Sequence, residues 1–312
     1  MAAPYSIGID FGGTNIKAVA VSAMGEVLRR ESRVTRDGQE KVDDWVRALD
    51  ELTRGFETAL GKPTPCVGIA IPGIIAADSR SVASCPGKLA GIEGVEWGAR
   101  LGREQLVPLL NDAHAALIGE HWLGAVRDYR DAILLTLGTG VGGAILSEGR
   151  ILRGAHGRAG ILGHMSMEPF GAPGPFGTPS PLEDWIGDHT VAARTGGRFR
   201  STEELIAASR AADPIAQAAW RKSVRALAVA IASCALILDT EAVVIGGGIA
   251  LAGPDLFEPL AQELERVEWG SKGQRIKIVP ASLGAWSGAI GAAKNALDSC
   301  GPRCGAADLR PA

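Results

Sequence analysis

The 312 residues are 46% hydrophobic and 21% charged, with a formal net charge of −3, the profile of a globular chain long enough for two domains of ordinary size. No basic stripe accompanies that charge, so nucleic acid is not an expected partner, and no apolar run reaches the roughly 18 residues that a membrane span needs. The N-terminus passes from MAAP into a strand without the basic and apolar regions of a secretory leader, so the expected location is the cytoplasm, away from any membrane.

The first element, Ser6 to Val21 (SIGIDFGGTNIKAVAV), reads as a β-hairpin. Ile7 and Ile9 lead into Asp10, Gly12 and Gly13 allow a tight turn whose unpaired N–H groups can face an anion, and Ile16, Ala18 and Ala20 resume strand alternation. Asp10 then stands where a metal-bound phosphate arrives. The same pattern also describes an ordinary hairpin turn, and the rest of the chain has to decide between them. Trp45, Leu49, Leu52, Phe56 and Leu60 follow helical spacing between Glu40 and Leu60, and Gly61, Lys62 and Pro63 close that helix. Cys66 to Ile71 reads as a buried strand, Val107 to Leu110 as another, and an alanine-rich helix from Ala113 to Leu123 follows Asn111 and Asp112.

Asp131 to Leu146 (DAILLTLGTGVGGAIL) repeats the strand, Gly/Thr turn, strand pattern. The recurrence suggests two related α/β domains facing each other across a cleft, each with a phosphate loop. Phe170 to Pro181 is too rich in proline and glycine for regular structure. A helix is expected from Pro214 to Leu238, then a strand at Val243 to Ile245 and a turn at Gly246, Gly247 and Gly248 that puts backbone amides at a ligand edge. The five cysteines, Cys66, Cys85, Cys234, Cys300 and Cys304, are odd in number and form no CxxC pair, which argues against a disulfide framework.

In this order the sequence resembles the ROK family (repressor, open reading frame, kinase) of sugar kinases and sugar-responsive regulators. DFGGTNIKA at Asp10 to Ala18 resembles its first phosphate motif, NDAHAALIGE at Asn111 to Glu120 its catalytic segment, and LGTGVGGAIL at Leu137 to Leu146 its second phosphate motif. RGAHGRAG at Arg153 to Gly160 with GHM at Gly163 to Met165 resembles its signature region, LDTEAVVIGGGIALAG at Leu238 to Gly253 its adenosine-side segment, and SLGAWSGAIGAA at Ser282 to Ala293 its closing helix. The resemblance implies an α/β, actin-like (ribonuclease-H-like) two-domain ATPase fold, with ATP and sugar in the interdomain cleft and closure excluding water. We expect an N-terminal domain of residues 1–112 plus about 290–312, and a C-terminal domain of 113–289. The first phosphate motif starts near residue 6, whereas the family's regulators carry a helix-turn-helix domain ahead of it, so the kinase branch is expected. A homodimer or homotetramer is implied as well.

Phosphoryl transfer from ATP to a sugar hydroxyl needs a base, charge neutralisation and alignment. Asp112 is the candidate base. The competing reading is that Asn111 or Asp112 caps the following helix, worth about 0.5–2 kcal/mol. Gly12, Gly13, Thr14, Gly138, Thr139 and Gly140 offer phosphate donors, and Gly246, Gly247 and Gly248 allow the adenosine side to approach. Asp10 holds Mg²⁺ through water, because Mg²⁺ keeps much of its hydration shell. Lys17 either assists the phosphates or is a solvated strand lysine. Asn111, Asp112, His164 and Glu183 match the family's sugar contacts.

Three departures fall on the acceptor side. The family signature GEIGHMxVxPxGxxCxCGxxGCLE binds structural zinc with its histidine and three cysteines, and here those cysteine positions are Gly174, Phe176 and Pro181. A lone histidine does not hold structural zinc, so no zinc is expected, and loop rigidity has to come from prolines 173, 175, 179 and 181 and from burial of Phe176. The signature glutamate is Ile161, which bonds no hydroxyl; the acceptor then lacks a hydroxyl there, carries an apolar substituent, or sugar binding has decayed. In CPGKLAG at Cys85 to Gly91, Gly87 or Lys88 stands near the place of the family's sugar-binding asparagine. Lys88 either meets an acidic group on the acceptor or is a surface lysine on the lip of the site. The expected function is ATP- and Mg²⁺-dependent phosphorylation of a hexose or amino sugar. The alternatives are a non-catalytic sugar or nucleotide sensor and a kinase that uses polyphosphate.

Overall fold

The computed structural model describes residues 5–174, 176–270 and 275–300. Strands β1 (Tyr5–Phe11) and β2 (Asn15–Ser22) form the first hairpin, and β3 (Val27–Val34) closes its outer edge. Helix α1 (Val42–Ala59) leads to β4 (Val67–Ile71), a small ribbon of β5 (Ile74–Ile75) and β6 (Val82–Ser84), a short α2 (Trp97–Arg100), β7 (Leu109–Asn111) and α3 (Asp112–Trp122). The sheet order is β3-β2-β1-β4-β7, antiparallel through the hairpin and parallel from β1 to β7.

The chain then repeats that plan. Strands β8 (Ala132–Leu137), β9 (Val141–Ser147) and β10 (Arg150–Ile151) are followed by α4 (Leu182–Ile186), α5 (Val191–Arg194), α6 (Thr202–Arg210) and α7 (Pro214–Leu238). Strand β11 (Ala242–Gly246), α8 (Pro254–Val267) and β12 (Lys277–Pro280) come next, and α9 (Ser287–Cys300) ends the described chain. The second sheet runs β10-β9-β8-β11-β12 with the same sequence of antiparallel and parallel pairings. The recurrence of hairpins in the sequence is therefore a recurrence of whole sheets.

Strand alternation decides what β1 carries on each face. Ile7, Ile9 and Phe11 lie in the core with Trp45, Leu49, Leu52 and Phe56 of α1. Phe11 packs edge-on against Trp45 and Trp97 with ring centroids 5.5 and 5.6 Å away, a geometry worth about 0.5–1.5 kcal/mol per pair beyond area burial. Gly8 and Asp10 point to the other face, where α9 lies close enough to Gly8 that a Cβ there would be 2.8 Å from the Ala293 Cβ. In the second unit α7 is the central helix. Asp213 caps it by accepting from the Ile215 and Ala216 N–H groups at 3.0 and 2.9 Å, Pro214 supplies a pre-set first turn, and Trp220, Val224, Leu227 and Ile231 fill the core against Val243 and Ile245.

The two compact units divide differently from the expected boundaries at 112/113 and about 290. The first holds the chain up to Gly124, Ala155–Gly157 and the segment from Ala285; the second holds Ala125–Gly154 and Arg158–Gly284. Helix α3 belongs to the first unit because it packs on α9 almost backbone to backbone. Gly119 lies against the Ser287 carbonyl and Gly291 against that of Ala115, so neither position has room for a Cβ. At the end of α9 the neighbour of Cys300 is Cys66; burial and that adjacent thiol push the Cys66 thiol up to about 12. Cys304 lies outside the described residues. No helix among the described residues is long and apolar enough to cross a membrane.

Candidate active site

The candidate residues gather into two sets, one on each unit. In the first, Asp10 is the next-to-last residue of β1 and sits opposite Lys17 across the hairpin. Burial, followed by the nearby Asp112 carboxylate, pushes Asp10 up to about 7, with Lys17 pulling the other way. Lys17 is thus the cross-strand counter-charge of Asp10. The Gly12 N–H closes the turn onto the Asn15 carbonyl at 3.0 Å, and Thr14 accepts from the Thr35 N–H at 2.8 Å. The N–H groups of Gly13 and Thr14 find no acceptor among the described residues, the condition of a backbone anion site. Neither Gly12 nor Gly13 has positive φ. The tight-turn freedom expected of them is not used, and their value is a bare approach to the backbone.

Asn111 ends β7 and caps α3: its side-chain oxygen accepts from the Ala113 and His114 N–H groups at 3.0 and 3.3 Å, while its amide donates to the Gly73 carbonyl at 3.1 Å. Capping therefore belongs to Asn111. Asp112 is exposed, accepts at Oδ1 from the Ala113 N–H at 2.9 Å, and keeps Oδ2 for other work. Among the described residues no group of three or more His, Cys, Asp or Glu side chains gathers to hold a metal. Two carboxylates against a single lysine keep an acidic balance that suits Mg²⁺, which takes one or two carboxylates and completes its shell with phosphate oxygens and water.

Two supporting residues carry no motif signal. Asp37 accepts from the Leu89 N–H with both carboxylate oxygens, at 3.2 and 3.1 Å, and its Oδ2 is 3.4 Å from where a Cβ of Gly13 would be. It lies beside Gly13 of the first hairpin loop and fastens the CPGKLAG segment at Leu89, which has φ +46°, a left-handed conformation costly for leucine. An acid before a glycine in a surface loop is too common a pattern to single out. Gly288, at the start of α9, leaves only 2.9 Å between its would-be Cβ and the Asp10 Cγ. Gly288→Ala is expected to push the Asp10 carboxylate aside and lower kcat/KM for MgATP roughly tenfold, with sugar binding by calorimetry unchanged.

In the second unit the loop between β8 and β9 has its carbonyls pinned. Gly138 and Thr139 accept from the Asp188 and His189 N–H groups at 2.9 and 3.1 Å. In a trans peptide C=O and N–H point opposite ways, so the Thr139 and Gly140 N–H groups face away from that turn, and neither has an acceptor among the described residues. A side chain at Gly140 would meet Glu183: its would-be Cβ lies 2.6 Å from the Glu183 Oε2. Gly247, at φ +87°, runs against the Leu137 backbone at the exit of β8, a position only glycine fills. The glycine turn and the loop between β8 and β9 thus leave the same ends of two adjacent parallel strands.

His164 ends a 3₁₀ turn, Leu162–His164, that is tied to α4 by the Leu182 N–H donating to the Met165 carbonyl at 2.9 Å; α4 carries Glu183. The loop in between is held by two isolated β-bridges, Ser166 with Pro181 and Pro173 with Pro179, and Pro175 lies outside the described residues. Phe176 is 58% exposed, so the expected burial of its ring is wrong: the ring packs edge-on against His164 with centroids 4.9 Å apart. Gly174 in turn meets Pro181, whose Cγ is 2.7 Å from a would-be Cβ. The positions matching the family's zinc ligands therefore still meet in pairs. Ile161 is 39% exposed.

Duplicated five-stranded sheets, each with a hairpin loop of free amides, and two carboxylates beside one of those loops define a phosphotransferase built on the actin-like, two-domain ATPase fold. The chain belongs to the ROK family, whose model matches residues 6–299. The glucokinase of Thermotoga maritima is 33% identical over a 316-residue alignment covering 92% of this chain and 95% of that protein. The N-acetylmannosamine kinase of Escherichia fergusonii is 31% identical over 253 residues, 79% of this chain and 84% of that one. The crystal structure of a ROK family glucokinase from Streptomyces griseus in complex with glucose and AMPPNP superposes with a TM-score of 0.75 at 25% identity, over 93% of this chain and 98% of that one.

Proposed function

We infer that this chain is an ATP-dependent carbohydrate kinase that phosphorylates a hydroxyl of a hexose or amino sugar, with Asp112 as general base. The observation that carries the assignment of the base is the division of labour at the start of α3: Asn111 takes the cap and leaves the exposed Asp112 carboxylate available. Asp112 accepts the proton as the sugar oxygen attacks the terminal phosphoryl group. The N–H groups of Gly13, Thr14, Thr139 and Gly140 bind phosphate oxygens, and the glycines at 246–248 admit the nucleoside. Asp10 would hold Mg²⁺ through water, which leaves Asp112 for the proton; when bound, the cation neutralises phosphate charge. Kinetics with MgATP across hexoses, hexosamines, N-acetylated amino sugars and sugar acids tests the reading. Turnover on one of them names the acceptor; silence with sugar still bound converts the protein to a sensor.

His164 and Glu183 are the sugar contacts of this proposal, and Ile161 sets its selectivity. An isoleucine in place of a carboxylate favours an acceptor with an apolar substituent over a bare hydroxyl, which fits the similarity to an N-acetylmannosamine kinase. Ile161→Glu is expected to move kcat/KM roughly ten- to a hundredfold toward the plain hexose, the value of one charged hydrogen bond to a buried hydroxyl. Competition between the two acceptors measures it. The homo-oligomeric state is part of the same proposal, and sedimentation analysis reads it.

A further inference from the structure

Arg194 is a largely buried cation that makes no ion pair within 4.0 Å among the described residues. It donates from Nε to the Thr190 hydroxyl at 3.1 Å, from Nη2 to the Gly187 carbonyl at 2.9 Å and from Nη1 to the Ser223 hydroxyl. Ser223 is fully buried on α7 and donates to its own helix at Ala219. Burial pulls Arg194 down to about 10, with Asp188 acting in the opposite sense. Placing an arginine there costs desolvation, and what it buys is a fixed turn at residues 187–190. The Thr190 hydroxyl donates to the Asp184 carbonyl at 2.9 Å, and the Asp188 carboxylate accepts from the Thr202 N–H at 2.6 Å at the start of α6.

The turn is anchored on three helices and presents His189. The His189 ring meets the Thr139 carbonyl at 2.7 Å through Nδ1, and its backbone N–H reaches the same oxygen at 3.1 Å. A carbonyl oxygen only accepts, so Nδ1 carries the proton. On the far side Nε2 stands 3.5 Å from Asp184 Oδ1. The Thr139 carbonyl and the Gly140 N–H belong to one rigid peptide plane. Gripping the oxygen from two donors fixes the direction of the N–H.

We propose that His189, held by the turn that Arg194 anchors, is a positioning residue for the second phosphate loop, aiming the Gly140 N–H at a phosphate of the nucleotide. This rests on the phosphate-loop reading given above. Its test is calorimetric binding of Mg²⁺-AMPPNP, with adenosine as an ATP-competitive inhibitor in parallel. His189→Leu, which removes the ring donor, is expected to raise the Kd for AMPPNP about tenfold, or about 1.4 kcal/mol, and to leave the adenosine Ki unchanged. His189→Asn keeps a donor at the position of Nδ1 and should restore binding to within about threefold. Arg194→Met, which touches no ligand, should act like His189→Leu, and it carries the test if that variant does not fold. Unchanged AMPPNP binding in His189→Leu, or an equal loss of AMPPNP and adenosine, overturns the proposal. Thr139→Pro, which deletes a loop N–H, separates the two readings: if it weakens AMPPNP while His189→Leu does not, only the positioning role fails, and if it too binds AMPPNP normally, the phosphate-loop reading fails.

Discussion

Asp112→Asn is expected to lower kcat by 10²–10⁴-fold, the usual worth of a positioned general base, while leaving the KM for sugar and the melting temperature near their wild-type values. The amide has the shape of the carboxylate, and its oxygen can keep the bond from the Ala113 N–H. The cap of α3 is made by Asn111, so the helix start does not depend on the exchanged group. What the variant loses is proton affinity. The complementary exchange, Asn111→Ala, removes the cap and the bond to Gly73; it should cost about 0.5–2 kcal/mol of stability and shift the melting curve. Single-turnover kinetics beside thermal denaturation separates the two. If Asp112→Asn melts early and keeps its turnover, the base lies elsewhere.

The fold was legible wherever the sequence carried a period or a repeated pattern. The two Gly/Thr hairpins announced duplicated halves, and both sheets have the same strand order. Helix α1 was read within two residues at its start and one at its end from the spacing of Trp45, Leu49, Leu52 and Phe56. The division into units was less legible, because α3 follows a strand of the first sheet and its alanine-rich face does not name its partner. Only the three-dimensional fit of Gly119 and Gly291 shows α9 to be that partner. Of the candidate site, the residues that carry a sequence signal are the motif ones: Asp10, Asn111, Asp112 and the glycines of both loops. The residues that hold them carry none. Asp37, Gly288, His189 and Arg194 act through distance rather than spacing; Arg194 reaches Ser223 across 29 residues and Asp37 reaches Leu89 across 52. The Phe176 expectation failed because an apolar side chain was assumed to seek the interior, whereas a ring on a short proline-rich loop packed edge-on with the half-buried His164.

Asp10→Asn should separate activity from stability, with opposite signs. Asp10 is pushed from its ordinary 3.8 up to about 7 by burial and by Asp112. A carboxyl with a raised folded-state value binds its proton more tightly in the native protein than in the unfolded chain. Stability therefore falls as pH rises through the window from about 4 to about 7, and above that window the cost is fully present. The amide does not titrate. In EDTA, the variant should gain on the wild type by on the order of 2 kcal/mol between pH 5 and pH 7, several degrees in melting temperature, with little further change at pH 8. Adding Mg²⁺ and AMPPNP at pH 8 should reverse the order, since a cation near the carboxylate removes the cost in the wild type alone. MgATP turnover should fall on the order of 10²–10³-fold in the variant at every pH. A variant that melts with the wild type at pH 5, 7 and 8 would mean that the Asp10 carboxylate is solvated and is not stored charge for the cation. A functional carboxylate held in an unfavourable environment until its cation arrives is the simplest account of an acid at the end of a buried strand, with Lys17 as its cross-strand partner and a second acid nearby.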